Sequence, residues 1–394
     1  MAIGFISRLG LSTPIAVGIS PPATPAPISF AERKRHFLMD PNRGSAAMKT
    51  AVRTSPGALA QAAALLRRGE LVAFTTETVY GLAADAGNPR AVRRIYQVKG
   101  RPANNPLIVH VPDAAAARRH VRHFPPAAVV LAEHFWPGPL TLVLPRGAGL
   151  CREVAAGLDT VAIRAPAHRV ARQLLRRVGR PLAAPSANRS GYTSPTTARH
   201  VRDELDGLIP LILDGGPCRV GLESTVLDLS GPQPVILRPG AITRAMLAGV
   251  LRQAGLPDVI GEATARKDSR PPATLKSPGR MARHYAPRTP AYRFTAREAS
   301  RAARWLRRQS AGFRAVLIGF SSAVPPLTGA VPKVMRVLRW PRNPIACARR
   351  LYAILRRADA AGAQVMLVQL PPRADGLWQA ITDRLQRATR ELPR

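Results

Sequence analysis

The chain of 394 residues is predicted to be an α/β protein built from two domains. Two observations lead to this prediction. Short apolar runs of strand length alternate with amphipathic runs of helix length, a pattern typical of α/β and α+β folds. A stretch rich in Pro, Ser, Lys and Arg, residues 263–290, interrupts this alternation and is predicted to be a linker between a long first domain and a shorter second one.

The composition excludes several classes of protein. Apolar residues make up 46% and charged residues 21%, and no stretch approaches the roughly 20 apolar residues of a membrane span, so we expect a soluble protein without membrane contact. Lys and Arg number 59 against 23 Asp and Glu, a net charge of +36. A polyanionic partner, a phosphorylated ligand or a genome-wide arginine bias would each produce this excess. Composition alone does not choose among them.

The three cysteines indicate a reducing compartment, which we take to be the cytoplasm. Cys151, Cys218 and Cys347 lie far apart and form no C-x-x-C pair. Neither a disulfide framework nor a zinc ribbon is therefore expected.

Residues 1–50 are predicted to be a disordered extension. The segment is rich in Pro, Ala, Ser and Gly and lacks helical or strand periodicity. A secretory signal is the competing interpretation, because Arg8 precedes a loosely apolar run, but Pro14 and polar interruptions weaken it. Met48 is a plausible start of the natural chain.

The first domain is expected to span residues 51–262. Its first helix begins at Ser55-Pro56-Gly57 and ends at Gly69, and its second begins at Asn88-Pro89, each with the residue types favoured at helix ends. Further helices are predicted near residues 113–122, 126–135, 168–178 and 195–206. Strands are predicted at residues 70–75, 106–111, 140–144, 160–163, 182–184, 209–213, 224–229 and 235–237.

The second domain, residues 291–394, is predicted to be a small three-layer α/β unit with a partly parallel sheet. The predicted strands are residues 314–320 and 363–370, and the predicted helices are residues 299–309, 343–361 and 377–391.

Several common catalytic motifs are absent from the sequence. It contains no Gly-Lys dipeptide and no G-x-G-x-x-G after a strand, which excludes a Walker A loop and a dinucleotide fingerprint. It also lacks H-E-x-x-H and G-x-S-x-G. His120 and His123 lie on an arginine-rich helix that we expect to be solvated, so no metal-ligating residue is assigned.

One pair of cations is held rigidly. Lys99 closes a predicted helix and Arg101 follows it, with Gly100 and Pro102 fixing the turn between them and the next strand. A single lysine at the C-terminal end of a helix is usually explained by its favourable interaction with the helix dipole. Two cations held together are instead typical of an oxyanion or phosphate clamp, with lysine as a point charge and arginine as a fork.

Other polar clusters follow predicted strands. The segment 75–78 offers three hydroxyls and a carboxylate suited to a small polar ligand, although a Thr-rich edge strand explains it equally well. A loop of small residues, 184–188, brings backbone amides within reach of a phosphate, and Ser194 caps the next helix. Arg164 and Arg238 each stand at the end of a strand.

Taken together, these clusters form an ordered series of motifs between residues 76 and 240. The series is T-E-T-V-Y-G-L, K-x-R-P with N-P-L-I-V-H, W-P-G-P-L-T, A-I-R-A-P, P-S-A-N-x-S-G, E-S-T-V and L-R-P-G. It resembles the YrdC-like family of L-threonylcarbamoyladenylate synthases. The later segment S-P-G-x-x-x-R-H-Y-A-P and the small α/β domain look like the longer, two-domain branch of that family.

The resemblance implies a fold and a reaction. The fold would be a YrdC-like twisted, mixed α/β sheet with a concave basic face. The reaction would join L-threonine, bicarbonate and ATP into threonylcarbamoyl-AMP with release of pyrophosphate, for threonylcarbamoyladenosine modification of tRNA. Mg²⁺ would accompany ATP. The implied partners are tRNA, with binding of double-stranded RNA, and threonylcarbamoyl-transfer proteins. The segment 263–290 would fold back over the cleft as a lid.

The resemblance also implies site residues. Lys99 and Arg101 would be catalytic. The implied ATP-binding residues are Lys99, Arg101, Asn105, Thr160, Ser186, Asn188, Ser194, Arg238 and Tyr285. The implied L-threonine-binding residues are Thr78, His110, Arg164, Ala184 and Ser224.

Two other functions compete with this one. A non-catalytic RNA-binding protein would use the same basic face, but aromatic residues make up only 5% and no RNP, KH or zinc-finger signature is present. A carbamoyl-phosphate-handling domain of a hydrogenase-maturation protein shares the YrdC-like fold. The zinc-finger cysteines and acylphosphatase segment expected there are absent.

Overall fold

The structure, a computed structural model, describes residues 49–54, 56–259, 284–320 and 333–393. Most of the predicted extension and the predicted linker up to residue 283 lie outside the described residues. We call residues 49–259 the first lobe, residues 284–290 the connecting segment and residues 291–393 the second lobe. The three belong to one compact unit.

The first lobe begins at least one residue before the predicted boundary at residue 51. Thr50, which the sequence placed in the extension, is buried, and its hydroxyl donates to the Ile209 carbonyl at 2.7 Å.

The described part of the first lobe contains ten strands and seven helices. The strands are β1 (Ala51–Arg53), β2 (Val72–Phe74), β3 (Gly81–Asp85), β4 (Ile108–His110), β5 (Leu140–Pro145), β6 (Thr160–Arg164), β7 (Leu182–Ala183), β8 (Leu211–Leu213), β9 (Thr225–Asp228) and β10 (Val235–Arg238). The helices are α1 (Pro56–Arg67), α2 (Pro89–Lys99), α3 (Ala114–Arg118), α4 (Pro126–Phe135), α5 (Arg169–Val178), α6 (Ala198–Leu205) and α7 (Arg244–Gln253).

These strands form one mixed sheet in the order β1-β8-β2-β3-β7-β4-β6-β5-β9-β10. Pairing is parallel at β1-β8, β8-β2, β4-β6 and β5-β9 and antiparallel elsewhere in the described sheet. The predicted mixed α/β sheet is confirmed.

Helices α1 and α5 cover one end of a sheet face. Their apolar side chains pack with Phe74 of β2 and Leu182 of β7. Leu182 is in register with His110 of β4, and His110 with Arg164 of β6, so all three side chains point to the same face. The face continues beyond the two helices, over β4, β6 and β5, where Ile108 packs in an apolar cluster. Polar groups gather on this uncovered part.

The second lobe is a three-layer α/β unit. Its described elements are β11 (Ala291–Phe294), α8 (Ala299–Arg307), β12 (Ala315–Gly319), β13 (Val334–Arg339), α9 (Pro344–Asp359), β14 (Val365–Gln369), α10 (Gly376–Ala388) and β15 (Arg390–Glu391). Val316 and Ile318 of β12 pack with α9 and α10, whereas Ala315 and Leu317 pack with α8. This alternation places helices on both faces of the sheet.

The sheet of the second lobe differs from the prediction in one respect. Its order is β13-β12-β14-β11-β15, and every described pair is parallel rather than only some. The predicted final helix, residues 377–391, ends at Ala388, because residues 390–391 pair with β11 as β15.

Two expectations from the sequence, on membrane spans and on the cysteines, can be compared with the described residues. None of its helices combines the length and apolar character needed to cross a membrane. The three cysteines carry free thiols.

Candidate active site

A pocket with a cavity volume of about 50 Å³ lies over the polar part of the sheet face. Nine residues that the sequence pointed to line it: Thr78, Arg101, His110, Arg164, Ala184, Ser186, Ser224, Arg238 and Tyr285. The wall also includes Thr76, Val79, Gly81, Ile108, Pro185, Glu223 and His284. The pocket therefore unites motifs that are separated by up to 209 residues.

Lys99 lies directly behind this wall. It ends α2, where Gly100 adopts a left-handed conformation with φ of 59° and turns the chain toward Arg101. The buried Nζ donates to the Ser186 carbonyl at 2.6 Å and also to the Asn188 carbonyl. Burial, and then the charge of Arg101, lower the pKa of Lys99 to about 7. The ammonium is held against the small-residue loop.

Arg101 is fixed by its own turn. Its Nε donates to the Asn105 carbonyl at 3.0 Å, and its Nη2 donates to Asn105 Oδ1 at 2.6 Å and to the Pro106 carbonyl at 2.7 Å. Burial lowers its pKa to about 10, which leaves it charged at neutral pH. Asn105 thus orients the guanidinium group from behind rather than lining the pocket.

Arg238, at the end of β10, reaches the pocket from the opposite side. Its Nε and Nη2 donate to the Ser224 carbonyl at 3.1 and 3.0 Å, and Nη2 lies 3.2 Å from Ser224 Oγ. The Ser224 hydroxyl is also 2.7 Å from that of Thr141. Burial lowers the pKa of Arg238, and its charge lowers that of Arg101.

Arg164 forms a buried ion pair at the floor of the pocket. Its Nη2 donates to Glu77 Oε1 at 2.5 Å, its Nη1 to the Thr78 hydroxyl at 2.9 Å and its Nε to the Gly138 carbonyl at 3.1 Å. Burial opposes ionisation of Glu77, but the arginine charge holds the pKa of that carboxyl below its usual value. One N–H of each terminal nitrogen remains for a ligand.

His110 is a neutral side chain in this pocket. Its pKa is lowered to about 3, first by burial and then by the charge of Arg164. Nδ1 lies 3.3 Å from the Ile108 carbonyl, so the tautomer that donates there leaves Nε2 as an acceptor.

Asn188 and Ser194 support the pocket from outside its lining. The amide nitrogen of Asn188 donates to the Tyr192 carbonyl at 2.7 Å, while its buried Oδ1 has no partner among the described residues. The Ser194 hydroxyl donates to Glu223 Oε1 at 2.5 Å. Both side chains are buried.

The connecting segment closes the pocket with Tyr285. This residue is 1% exposed and adopts a left-handed conformation with φ of 63°, which is uncommon outside glycine and costs about 1–3 kcal/mol. Hydrogen bonds on both sides hold it, from the His284 amide to the Arg387 carbonyl at 3.1 Å and from the Ala286 amide to the Gly191 carbonyl at 2.9 Å. The tyrosine is part of the pocket wall.

Thr160, which was predicted to bind ATP, lies at the opposite end of its strand from the pocket residue Arg164. It is the first residue of β6, whereas Arg164 is the last, and it does not line the pocket.

The sequence assigned no role to Glu223, and it included the Glu77 carboxylate only in a polar cluster suited to a small ligand. Their burial beside arginines becomes visible only in the fold. Among the described residues, no group of three or more His, Cys, Asp or Glu side chains is arranged to hold a metal ion.

Two family models match the chain. Residues 64–240 match the Sua5/YciO/YrdC model, described as telomere recombination, and residues 242–389 match the model described as threonylcarbamoyl-AMP synthase, C-terminal domain.

Curated proteins show the same similarity. Threonylcarbamoyl-AMP synthase of Pyrococcus abyssi is 48% identical over 227 residues, 57% of this chain and 64% of that protein. The Bacillus subtilis protein of the same name is 48% identical over 238 residues, 60% of this chain and 66% of that protein. The chain thus spans just under two thirds of these two relatives. The threonylcarbamoyl-AMP synthase of Thiobacillus denitrificans is 36% identical over 170 residues, which are 42% of this chain and 88% of that protein.

A solved structure matches both lobes. The crystal structure of P. abyssi Sua5 complexed with L-threonine has a TM-score of 0.76 and 36% sequence identity, covering 86% of this chain and 98% of that one.

Proposed function

The chain belongs to the Sua5/YciO/YrdC family, and from this premise we propose that it forms threonylcarbamoyl-AMP and pyrophosphate from L-threonine, bicarbonate and ATP. The amine of threonine and bicarbonate give a carbamate with loss of water. A carbamate oxygen then attacks the α-phosphorus of ATP, and the bond to pyrophosphate breaks. The protein must hold the two reactants in line and stabilise the charge that develops on the phosphate oxygens.

One observation carries the proposal: three buried cations from two separate segments meet at one pocket beside hydroxyl groups. Lys99, Arg101 and Arg238 are fixed by carbonyl and amide oxygens before any ligand arrives. Preorganised charges of this kind stabilise a phosphoryl-transfer transition state, because they need no rearrangement during the reaction. We assign them to the phosphates and the departing pyrophosphate. Ser186, Asn188 and Ser194 complete this side, with Asn105 orienting Arg101.

The other half of the pocket suits an amino acid. Arg164 has two N–H groups left for a carboxylate, and the hydroxyls of Thr78 and Ser224 supply donors and acceptors. Neutral His110 accepts a hydrogen bond from the threonine amine or hydroxyl without adding a charge. The backbone of Ala184 completes the threonine site.

Mg²⁺ is proposed to arrive with ATP. Both carboxylate oxygens of Glu223 are occupied by Ser194, Tyr352 and Arg384, whereas Glu77 Oε2 is buried without a partner among the described residues. Glu77 does not line the pocket, so phosphates and water would supply the ligands of the ion, as is usual for Mg²⁺.

Tyr285 is assigned to the nucleotide and to the exclusion of water. A mixed anhydride of carbamate and phosphate hydrolyses readily, so a buried aromatic wall protects it. The hydroxyl of Tyr285 is buried without a partner among the described residues and is available to ATP.

We place the reaction in the cytoplasm, with the product passed to a threonylcarbamoyl-transfer protein that acts on tRNA. Direct binding of tRNA is a separate proposal, supported only by the net charge of +36. Filter binding at increasing salt tests it, and the absence of salt-sensitive binding would contradict it.

The proposed activity is tested by pyrophosphate release from ATP with and without L-threonine and bicarbonate. We expect release only when both are present. Arg101→Met should lower the rate at least a hundredfold. Arg180→Met is the matched control, because the half-exposed Arg180 pairs with the buried Asp85 and neither residue lines the pocket, and it should retain the full rate. Threonine-independent release, or equal losses in the two variants, would contradict the proposal.

A further inference from the structure

Arg384 of the second lobe reaches across to the candidate active site. It lies on α10 and is fully buried. Its Nε donates to Glu223 Oε2 at 2.9 Å, and its Nη2 donates to the Pro239 carbonyl at 2.9 Å. Its Cζ lies 5.2 Å from the centre of the Tyr285 ring. Asp383, the preceding residue, accepts from its Nη1 at 2.5 Å and completes the grip on the guanidinium group.

The three groups that Arg384 touches belong to three separate segments of the pocket wall. Glu223 and Tyr285 line the pocket, and Pro239 follows Arg238, which also lines it. A planar guanidinium group with donors in fixed directions sets the relative position of such groups more strictly than a flexible ammonium. One side chain therefore ties the adjacent ends of β9 and β10 to the connecting segment.

Tyr352 of α9 adds a second contact from the same lobe. Its hydroxyl donates to Glu223 Oε2 at 2.8 Å, and its ring centre lies 5.9 Å from that of Tyr285. The other oxygen of Glu223 accepts from Ser194. Glu223 thus joins a proposed ATP ligand to two side chains of the second lobe.

Stability alone does not account for this arrangement. A buried ion pair pays a desolvation penalty that apolar side chains of similar volume avoid, and replacing such pairs is often neutral or stabilising. Arg384 also brings a second positive charge close enough to Arg238 to lower the pKa of that residue. Positioning of the pocket residues that Arg384 contacts is a reason for burying its charge there.

We propose that Arg384, assisted by Tyr352, is a positioning residue of the candidate active site, through which the second lobe fixes Glu223, Pro239 and Tyr285. This inference rests on the proposed function, because it assigns the second lobe a part in the same reaction. The second lobe completes the pocket rather than forming a separate appendage.

The test measures threonine-dependent pyrophosphate release by the full chain and its variants, with thermal unfolding of each. Arg384→Met should lower kcat/KM ten- to a hundredfold, since small displacements of reacting groups cost this much. Arg384→Lys should fall between Arg384→Met and the unaltered protein, because it keeps the charge but not the fork. Tyr352→Phe should lose a few-fold. If Arg384→Met does not fold, the other two variants decide.

Arg349→Met is the matched control. Arg349 lies on α9, and its exposed side chain donates to the Arg219 carbonyl at 2.9 Å, so it also joins the lobes but does not touch the pocket wall. It should retain kcat/KM within twofold. If folded Arg384→Lys and Tyr352→Phe match the unaltered protein, or if all variants lose activity only in step with melting temperature, the inference is overturned. An inactive unaltered protein would instead overturn the proposed function.

A pH profile separates positioning from general structural damage. The charged and titratable groups that face Glu223 are Arg384 and Tyr352 of the second lobe, Arg238 of the first lobe, and His284 and Tyr285 of the connecting segment. Burial raises the pKa of Glu223, but Arg384 and Arg238 outweigh it and hold the value at about 2. Without Arg384, this carboxylate becomes protonated at a higher pH. The acid limb of kcat/KM should therefore move upward in Arg384→Met and stay unchanged in Arg349→Met. An unmoved limb would contradict the inference.

Discussion

The affinity of the free protein for ATP should fall as pH rises above 7, because of Lys99. Burial and the neighbouring charge of Arg101 lower the pKa of this ammonium to about 7, with Glu204 opposing them. In the free protein Lys99 is therefore charged below pH 7 and neutral above it. If bound phosphates require the charged form, binding above pH 7 takes up a proton.

The size of the effect follows from the pKa. Each pH unit above 7 costs a factor approaching ten in affinity, so from pH 7 to pH 9 the loss is somewhat under a hundredfold, about 2.7 kcal/mol at most. Lys99→Arg carries a charge throughout this range and Lys99→Ala none, so neither should show this slope. The phosphates of ATP titrate identically with all three proteins, and the ratio of two dissociation constants removes their contribution.

Isothermal titration calorimetry between pH 6 and 9 provides the measurement, since it reports both affinity and proton uptake when buffers are varied. We expect the unaltered protein to lose affinity relative to Lys99→Arg with a slope approaching one logarithmic unit per pH unit. Parallel profiles for the unaltered protein and both variants, all of them folded, would refute the assignment of Lys99 to the phosphates.

Three further outcomes follow from contacts in the structure. Arg164→Met leaves the buried Glu77 carboxylate without its cation, so the free energy of unfolding in urea should fall by about 3–5 kcal/mol. Adding Glu77→Gln should recover most of this loss, and a double variant as unstable as the single one would contradict that cause. Gly221→Ala places a Cβ 2.5 Å from the backbone of α9. The melting temperature of this variant should therefore fall further than that of Gly157→Ala, because Gly157 also has a positive φ but faces open space. Equal losses of melting temperature would argue against close packing of the lobes at Gly221. Tyr285→Phe should leave stability within about 0.5 kcal/mol and raise the KM for ATP several-fold, whereas an unchanged KM would refute a contact between that hydroxyl and the nucleotide.

Two helix ends were predictable because they depend on local chemistry, whereas the prediction that Ser194 caps the next helix was wrong: Thr197 caps α6 and accepts from the His200 amide at 3.3 Å. Gly69 has a φ of 80°, as expected for the glycine that follows a helix. The side chain of Asn88 accepts hydrogen bonds from the amides of Arg90 and Ala91, the capping contact that Asn-Pro indicated.

Strands with unfavourable composition were missed. The sequence did not indicate β3, Gly-Leu-Ala-Ala-Asp, because glycine, alanine and aspartate are poor strand formers. It is a strand because β2 and β7 pair with it on both sides. β13 was missed for another reason: it is an exposed edge strand, whose two arginines interrupt the apolar pattern. Tertiary pairing decided both cases.

The sequence motifs identified most residues of the pocket wall, but not the side chains that hold those residues in position. Lys99 and Arg101 were identified by a rigid turn within four residues, a local signal. Arg384 lies 161 residues from Glu223, in a helix whose sequence reads like many solvated helices. Spacing along the chain carries no information about such a pair, and only the packing of the two lobes reveals it.

The proposed synthesis of threonylcarbamoyl-AMP is tested most directly by mass spectrometry of the product formed from ATP, L-threonine and ¹³C-labelled bicarbonate. We predict an AMP adduct that contains threonine and one labelled carbon, formed together with pyrophosphate. An adduct of AMP and threonine without the label would identify an aminoacyl adenylate and contradict the claim, as would the absence of any adduct from a protein that binds both substrates.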